Sequence, residues 1–104
     1  MSWIIEYIEK AKDDLRGLEG SQRKQVLKAI QKVSQNPLPD YEGGYGKPLG
    51  NKSGNNLSGY YKIKLLKPGI RVVYTIIRNK EKMRIIVISI RNDGEVYEIA
   101  ADRI

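Results

Sequence analysis

The chain has no cysteine and no histidine. Without cysteine there is no disulfide, no thiolate metal site and no thiol nucleophile. Without histidine there is no imidazole base, no Ser-His-Asp triad and no His-ligated metal, so any acid/base chemistry must come from Lys, Arg, Tyr, Asp or Glu. Long apolar runs are missing too. Glu6 and Glu9 interrupt the first ten residues, which therefore lack the core of a signal peptide, and no run approaches membrane-spanning length. Together these absences predict a cytoplasmic protein with no membrane partner, no metal and no cofactor.

What is abundant is positive charge. Nineteen Lys and Arg against twelve Asp and Glu give +7, a field that attracts polyanions or an acidic partner protein. A length of 104 residues with 40% hydrophobic content suits one domain, residues 1–104, with a core that needs no staples.

Trp3, Ile4, Ile5 and Tyr7 read as a short opening strand, with Trp3 as a core anchor. From Ile8 the apolar residues Ile8, Ala11, Leu15 and Leu18 recur at helical spacing, and Gly17 and Gly20 mark the end of that helix. Ser21 is placed to cap a second helix, whose stripe Val26, Leu27, Ile30, Val33 runs until Asn36-Pro37 stops it. Positions 36 to 59 are crowded with Gly, Pro and Asn and show no periodicity, which predicts a long loop pinned by Leu49 and Leu57 and kept basic by Lys47 and Lys52.

Three strands follow, Tyr60 to Lys67, Ile70 to Arg78 and Arg84 to Arg91. A two-residue Pro68-Gly69 turn sets Lys67 opposite Ile70, so even positions of one strand share a face with odd positions of the next. Tyr61, Ile63, Leu65, Ile70, Val72, Tyr74 and Ile76 then form the helix-covered face, joined by Ile86, Ile88 and Ile90. Lys62, Lys64, Arg71 and Arg91 take the open face with Val87 and Ser89, which requires an odd-length turn around Asn79 to Lys82. Asn92, Asp93 and Gly94 cap and turn into a short helix carrying Val96, Tyr97, Ile99 and Ala100. The expected class is α+β, a small antiparallel sheet with an N-terminal helical hairpin on one face and a short C-terminal helix.

Four cations on one sheet face repel one another unless an anion sits among them. For Lys62 and Lys64 alone, a solvated face is the simpler explanation. With Arg71, Arg91 and Tyr97 just beyond the sheet, the set matches what RNA cleavage needs: a deprotonated 2′-hydroxyl, a neutralised phosphate and a protonated leaving oxygen. A Lys among cations acts as a base more readily, Arg clamps phosphate, and Tyr stacks on a base or orders the nucleophile. Spacing and face alone indicate phosphate or nucleic-acid binding. Asp13, Asp14 and Glu19 read as a solvated helix face. Gly43, Gly44 and Gly46 neither follow a strand nor open a helix, so they do not form a phosphate-cradling loop.

The order helix, helix, long loop, then Tyr60-Tyr61-Lys62-Ile63-Lys64-Leu65, Ile70-Arg71-Val72-Val73-Tyr74, Ile88-Ser89-Ile90-Arg91 and Glu95-Val96-Tyr97 resembles the RelE/ParE toxin superfamily over nearly the whole chain. The match is to the RelE-like branch of mRNA interferases, whose catalytic lysines, arginines and tyrosine fall on Lys62, Lys64, Arg71, Arg91 and Tyr97. The resemblance implies a toxin of a type II toxin-antitoxin system and metal-free, ribosome-dependent cleavage of mRNA in the A site. It also implies an acidic RelB-like antitoxin as partner, with Lys47 and Lys52 available for RNA or ribosome contacts. One departure is Ser89-Ile90, where RelE has a Gly-Lys pair. ParE-like members share the scaffold but inhibit DNA gyrase without nuclease chemistry, and they generally lack the complete basic and tyrosine set.

Overall fold

The computed structural model describes residues 2–52, 54–65, 67 and 69–104. Its elements are β1 (Ile4–Tyr7), α1 (Glu9–Arg16), α2 (Gly20–Val33), β2 (Lys47–Lys52), β3 (Asn55–Leu65), β4 (Ile70–Ile77), β5 (Lys82–Ser89) and α3 (Asp93–Arg103), with 3-10 turns at Asp40–Glu42 and Arg78–Lys80. The strands form one sheet in the order β1-β5-β4-β3-β2. The α+β class and the hairpin of helices on one face are those the sequence predicts. The sheet, however, is mixed. The opening strand lies parallel to β5, with Ile5 beside Met83 and Tyr7 beside Ile85. A parallel neighbour needs a long crossover, which here is nearly the whole chain, so no local turn signal announces the pairing.

In α1 and α2 the helical stripes bury Ala11, Val26, Ile30 and Val33 against Tyr61, Ile70, Val72, Tyr74, Met83, Ile85 and Ile88, and Trp3, Leu15 and Leu18 pack round them. Leu27, one position round from the stripe, is exposed. The cap of α2 is Glu19 rather than Ser21. The Glu19 backbone N–H donates to the Gln22 side chain at 3.1 Å, which leaves Ser21 inside the first turn.

The stretch from 36 to 59 is not one loop. Asp40–Glu42 is a 3-10 turn, and β2 pairs with β3 from Asn55 to Lys62 as a hairpin whose register shifts between Pro48 and Gly50. That shift, with Pro48, Gly50 and Gly59 inside the strands, erases the two-residue alternation by which strands are read. Leu49 and Leu57 are buried as anticipated. The glycines serve close packing. A Cβ on Gly44 would sit 2.0 Å from the Leu38 carbonyl oxygen, and one on Gly46 would sit 2.6 Å from the Tyr74 hydroxyl. That hydroxyl donates to the Pro37 carbonyl at 2.9 Å, tying this segment to the sheet.

Leu65 opposes Ile70, so the pairing of β3 with β4 ends two residues earlier than a Pro68-Gly69 turn would allow; Pro68 lies outside the described residues. A shift of two preserves the faces. Between β4 and β5 the connection from Arg78 to Glu81 is even, not odd, and the required change of parity comes from a bulge. Val73 opposes Val87 while Tyr74 opposes Ile85, leaving Ile86 as the extra residue. The bulge puts Ile85 and Ile88 in the core beneath the helices and sends Ile86 to the other face, against the expected Ile86, Ile88, Ile90 set. Ile90 lies beyond the end of β5 and is exposed.

The second face is not fully open. Leu49, Leu57, Val73, Ile86, Val87, Val96, Tyr97 and Ala100 form a second cluster there, as α3 folds back over β3, β4 and β5. The helix starts at Asn92, whose side chain accepts from the Glu95 backbone N–H at 2.9 Å. Burial of Val96 and Ala100 then lays it on the sheet.

Candidate active site

Strand alternation assembles the basic group. Lys47 opposes Lys62, Lys64 opposes Arg71, and Arg71 opposes Ser89, so these side chains share the face that α3 partly covers. Ile63, Val72 and Ile88 lie on the opposite, helix-covered side. Arg91 is not on the sheet. It lies in the link between β5 and α3, where its guanidinium donates to Glu95 at 2.8 Å and stays largely in solvent. It meets the group through its backbone, whose carbonyl accepts from Arg71 Nη1 at 2.9 Å.

Arg71 is the most constrained of the cations. Its side chain is only 20% exposed, its Nε donates to the Asp93 carboxylate, and Nη1 donates to the Gly69 and Arg91 carbonyls at 3.3 and 2.9 Å. Nη2 has no protein acceptor among the described residues. Asp93 is the first residue of α3, where a carboxylate is also favoured by the helix dipole. Burial pushes the Asp93 carboxyl up. The Arg71 hydrogen bond and charge, with Lys64 and Lys62 behind them, outweigh this and hold it below the usual aspartate range.

Tyr97 follows Asp93 by four residues and so lies on the same side of α3. Rather than standing beyond the sheet, its ring is 5% exposed within the second cluster. Burial raises its phenol above the ordinary value and Asp93 adds to this, against the opposing charges of Lys52 and Arg71. With α3 docked, the Tyr97 ring is packed in the second cluster and is not free to stack.

The far end of α3 is locked as well. Arg103 donates through Nη1 to Asp14 at 2.6 Å and to the Ile86 carbonyl at 3.0 Å, and through Nη2 to Asp14 at 3.2 Å. Asp14 in turn accepts from the Ile88 backbone N–H at 3.0 Å. The Ile88 N–H and the Ile86 carbonyl, which lie past the last pairing of β5 with β1, are thus satisfied by this pair, and Asp14, read from the sequence as solvated, is mostly buried. Among the described residues no group of carboxylates is arranged to hold a metal ion, and no helix is long and apolar enough to cross a membrane. The arrangement is a cationic cleft with one pre-oriented guanidinium, suited to a phosphate.

No family model matches the chain. The mRNA interferase toxin RelE of Escherichia coli (strain K12) is 30% identical to it, over 100% of this chain and 99% of that protein. The chain belongs to the RelE toxin family. The RelE of Shigella flexneri matches to the same extent, so the curated relatives favour RelE over the ParE alternative. Among solved structures, a free mutant form of the Escherichia coli RelE toxin superposes with a TM-score of 0.71 at 29% identity, covering 100% of this chain and 99% of that one. RelE in the intact Escherichia coli RelBE toxin-antitoxin complex superposes at 0.66 with 25% identity, covering 88% and 99%. In this RelE-family chain, the sequence reading missed Asp93, Asp14 and Arg103. Asp93 carried a usable signal, its four-residue spacing from Tyr97. Nothing local joined Asp14 to Arg103, which are brought together only by the docking of α3.

Proposed function

We propose that the protein is the toxin of a type II toxin-antitoxin pair and a metal-independent endoribonuclease that cuts mRNA in the ribosomal A site. The observation that carries this is the meeting of Lys62, Lys64 and Arg71 on one sheet face, with the Arg71 guanidinium held by Asp93 and two carbonyls and one Nη left unpaired. A pre-oriented donor costs no reorganisation when charge builds on the phosphate, which is how such a group lowers a barrier.

In this reading the 2′-hydroxyl of the nucleotide before the cut attacks the adjacent phosphorus, and the P–O5′ bond breaks. The products are a 2′,3′-cyclic phosphate and a 5′-hydroxyl. One of Lys62 and Lys64 accepts the 2′-hydroxyl proton while the other holds phosphate charge, and Arg71 Nη2 stabilises the pentacovalent state. Arg91, solvent-exposed and free to swing from Glu95, neutralises or protonates the leaving oxygen. Tyr97 orients the nucleotide through its hydroxyl. Lys47 and Lys52 extend the positive surface toward RNA. The +7 charge also suits an acidic RelB-like antitoxin that folds on binding.

The test is to add the protein to a translating extract and map mRNA ends, with gyrase supercoiling assayed in parallel. Cuts within A-site codons bearing 2′,3′-cyclic phosphate ends are expected, together with loss of cleavage when the nucleotide before the cut is 2′-deoxy. Intact mRNA with inhibited gyrase would overturn the assignment.

A further inference from the structure

Beside the lysine pair, on the side away from Arg71, lies a cavity of about 390 Å³ between α2 and the free end of β3. Its floor is apolar, made by Ala29, Val33, Ile63 and Leu65, and Tyr45 is one wall. Lys32, Lys47, Lys62 and Lys64 stand around it, no carboxylate lines it, and none of the four makes an ion pair among the described residues. By contrast Arg71, Arg78, Lys82, Arg84 and Arg103 are all matched with acids. Cations left unmatched round an apolar floor fit a ligand with a flat apolar body and a negative group.

The strand edge adds a second feature. Because β2 begins at Lys47 opposite Lys62, Ile63 to Leu65 run past the end of β2 and pair only with β4, so their other edge has no strand beside it. The cavity therefore opens along a free backbone edge, which can hydrogen-bond a base. Lys32 Nζ lies 5.6 Å from the Tyr45 ring centroid, so the ring is held by a cation on one face and is still 49% exposed.

We infer that this cavity is a nucleotide subsite, in which Tyr45 stacks on one unpaired base of single-stranded RNA while Lys32 and Lys47 hold its phosphate, next to the bond that Lys62 and Lys64 address. The inference deepens the nuclease reading and rests on it for the identity of the RNA as substrate. Stacking on an exposed tyrosine with lysines along the backbone is how proteins hold single strands without strong sequence preference. An acidic peptide would use the lysines but has no need of a ring wall and an apolar floor together, so the nucleotide is favoured.

The experiment titrates the full chain with a 2′-O-methyl RNA trinucleotide, which cannot be cut, and measures mRNA cleavage by the same variants. Tyr45→Ala should weaken the trinucleotide about tenfold, Tyr45→Trp should restore binding, and Lys32→Ala should weaken it and lower the salt slope by about one. In cleavage, Tyr45→Ala should raise KM with kcat unchanged, because the contact is equal in ground and transition states. If the wild type cuts mRNA and both variants bind and cut as it does, the subsite is wrong and the nuclease stands. If the wild type binds the trinucleotide through Tyr45 but cuts nothing, the subsite stands and the nuclease reading fails. Loss of binding to a polyglutamate peptide with unchanged trinucleotide affinity would overturn the subsite in favour of a protein partner.

Discussion

Arg71 on β4 and Asp93 at the first turn of α3 are joined by an ion pair that fixes a proposed catalytic guanidinium and the start of the helix carrying Tyr97 in one contact. Removing the charge without changing the shape separates these roles. Asp93→Asn is expected to slow mRNA cleavage by at least about tenfold, roughly 1.4 kcal/mol of barrier, with KM little changed, because the fork loses its orientation rather than its charge. The opposite result, faster cleavage, would mean that Asp93 competes with the phosphate. The folded state holds Asp93 below its ordinary pKa, so its contribution to stability is present above about pH 4 and is lost as the pH falls through the lowered value. Acid unfolding of Asp93→Asn should accordingly show a shallower pH dependence at that end.

Tyr74 is fully buried and its hydroxyl satisfies the Pro37 carbonyl. Tyr74→Phe leaves that acceptor dry and should cost about 1 to 3 kcal/mol in denaturant unfolding, with no direct effect on the cleft. Burial lifts the Tyr74 phenol well above its ordinary value, with Tyr61 adding to this. A raised pKa contributes stability that is complete below about pH 10 and is lost as the pH climbs toward the folded value. Alkaline titration followed by tyrosinate absorbance should therefore show one tyrosine that ionises only with unfolding, and Tyr74→Phe should remove it.

How far the sequence specified the molecule follows from which signals are local. The stripes of α1 and α2, the alternation of β3 and β4 and the Asn92 cap each arise within a few residues, and each appears in the structure. So does the shared face of Lys62, Lys64 and Arg71, because a two-residue error in register leaves parity untouched. Long-range features were not legible. β2 lost its alternation to Pro48, Gly50 and a register shift, and the parallel place of β1 depends on contacts some eighty positions apart. The bulge at Ile86 reversed the expected direction of one side chain while keeping the next core residue, and nothing in a run of Ile and Val announces which position is extra. The covering of the second face by α3 moved Tyr97 from solvent into a core. Val96 and Ala100 were visible as apolar residues, but their destination was not.

Arg103 and Asp14 hold the C-terminal end of α3 against the bulge, with side chains 14% and 18% exposed. Arg103→Met keeps the apolar stem but leaves Asp14 and the Ile86 carbonyl without their partner, which should cost about 2 to 3 kcal/mol and lower Tm by roughly 10 °C. Amide exchange in α3 should rise more than in α1 or β4, because α3 opens first when its far anchor is cut. The double substitution with Asp14→Asn should recover some of the loss, since no uncompensated charge then remains. Equal destabilisation of all elements, with additive costs, would show that the pair does not act as a clasp on α3.

Substitutions at Arg71 and Tyr97 are expected to separate binding from chemistry. A group that acts in the transition state lowers turnover more than occupancy when it is lost, whereas the proposed ribosome association would draw on many dispersed phosphate contacts, Lys47, Lys52 and the helical lysines among them, each contributing a fraction. Arg71→Ala and Tyr97→Phe are expected to remain bound to ribosomes while cutting mRNA at least about tenfold more slowly, and growth arrest should disappear with cleavage. The burial of Tyr97 decides which substitution is informative. Tyr97→Phe keeps the ring in the second cluster and removes only the hydroxyl, so a fall in cleavage without a fall in Tm assigns the effect to that oxygen. Tyr97→Ala removes a buried ring, costs about 3 to 5 kcal/mol and loosens α3, so its loss of activity mixes packing with chemistry. Should Tyr97→Phe cut as fast as the parent while Tyr97→Ala does not, Tyr97 serves only to seat α3, and the chemistry belongs to Lys62, Lys64, Arg71 and Arg91 alone.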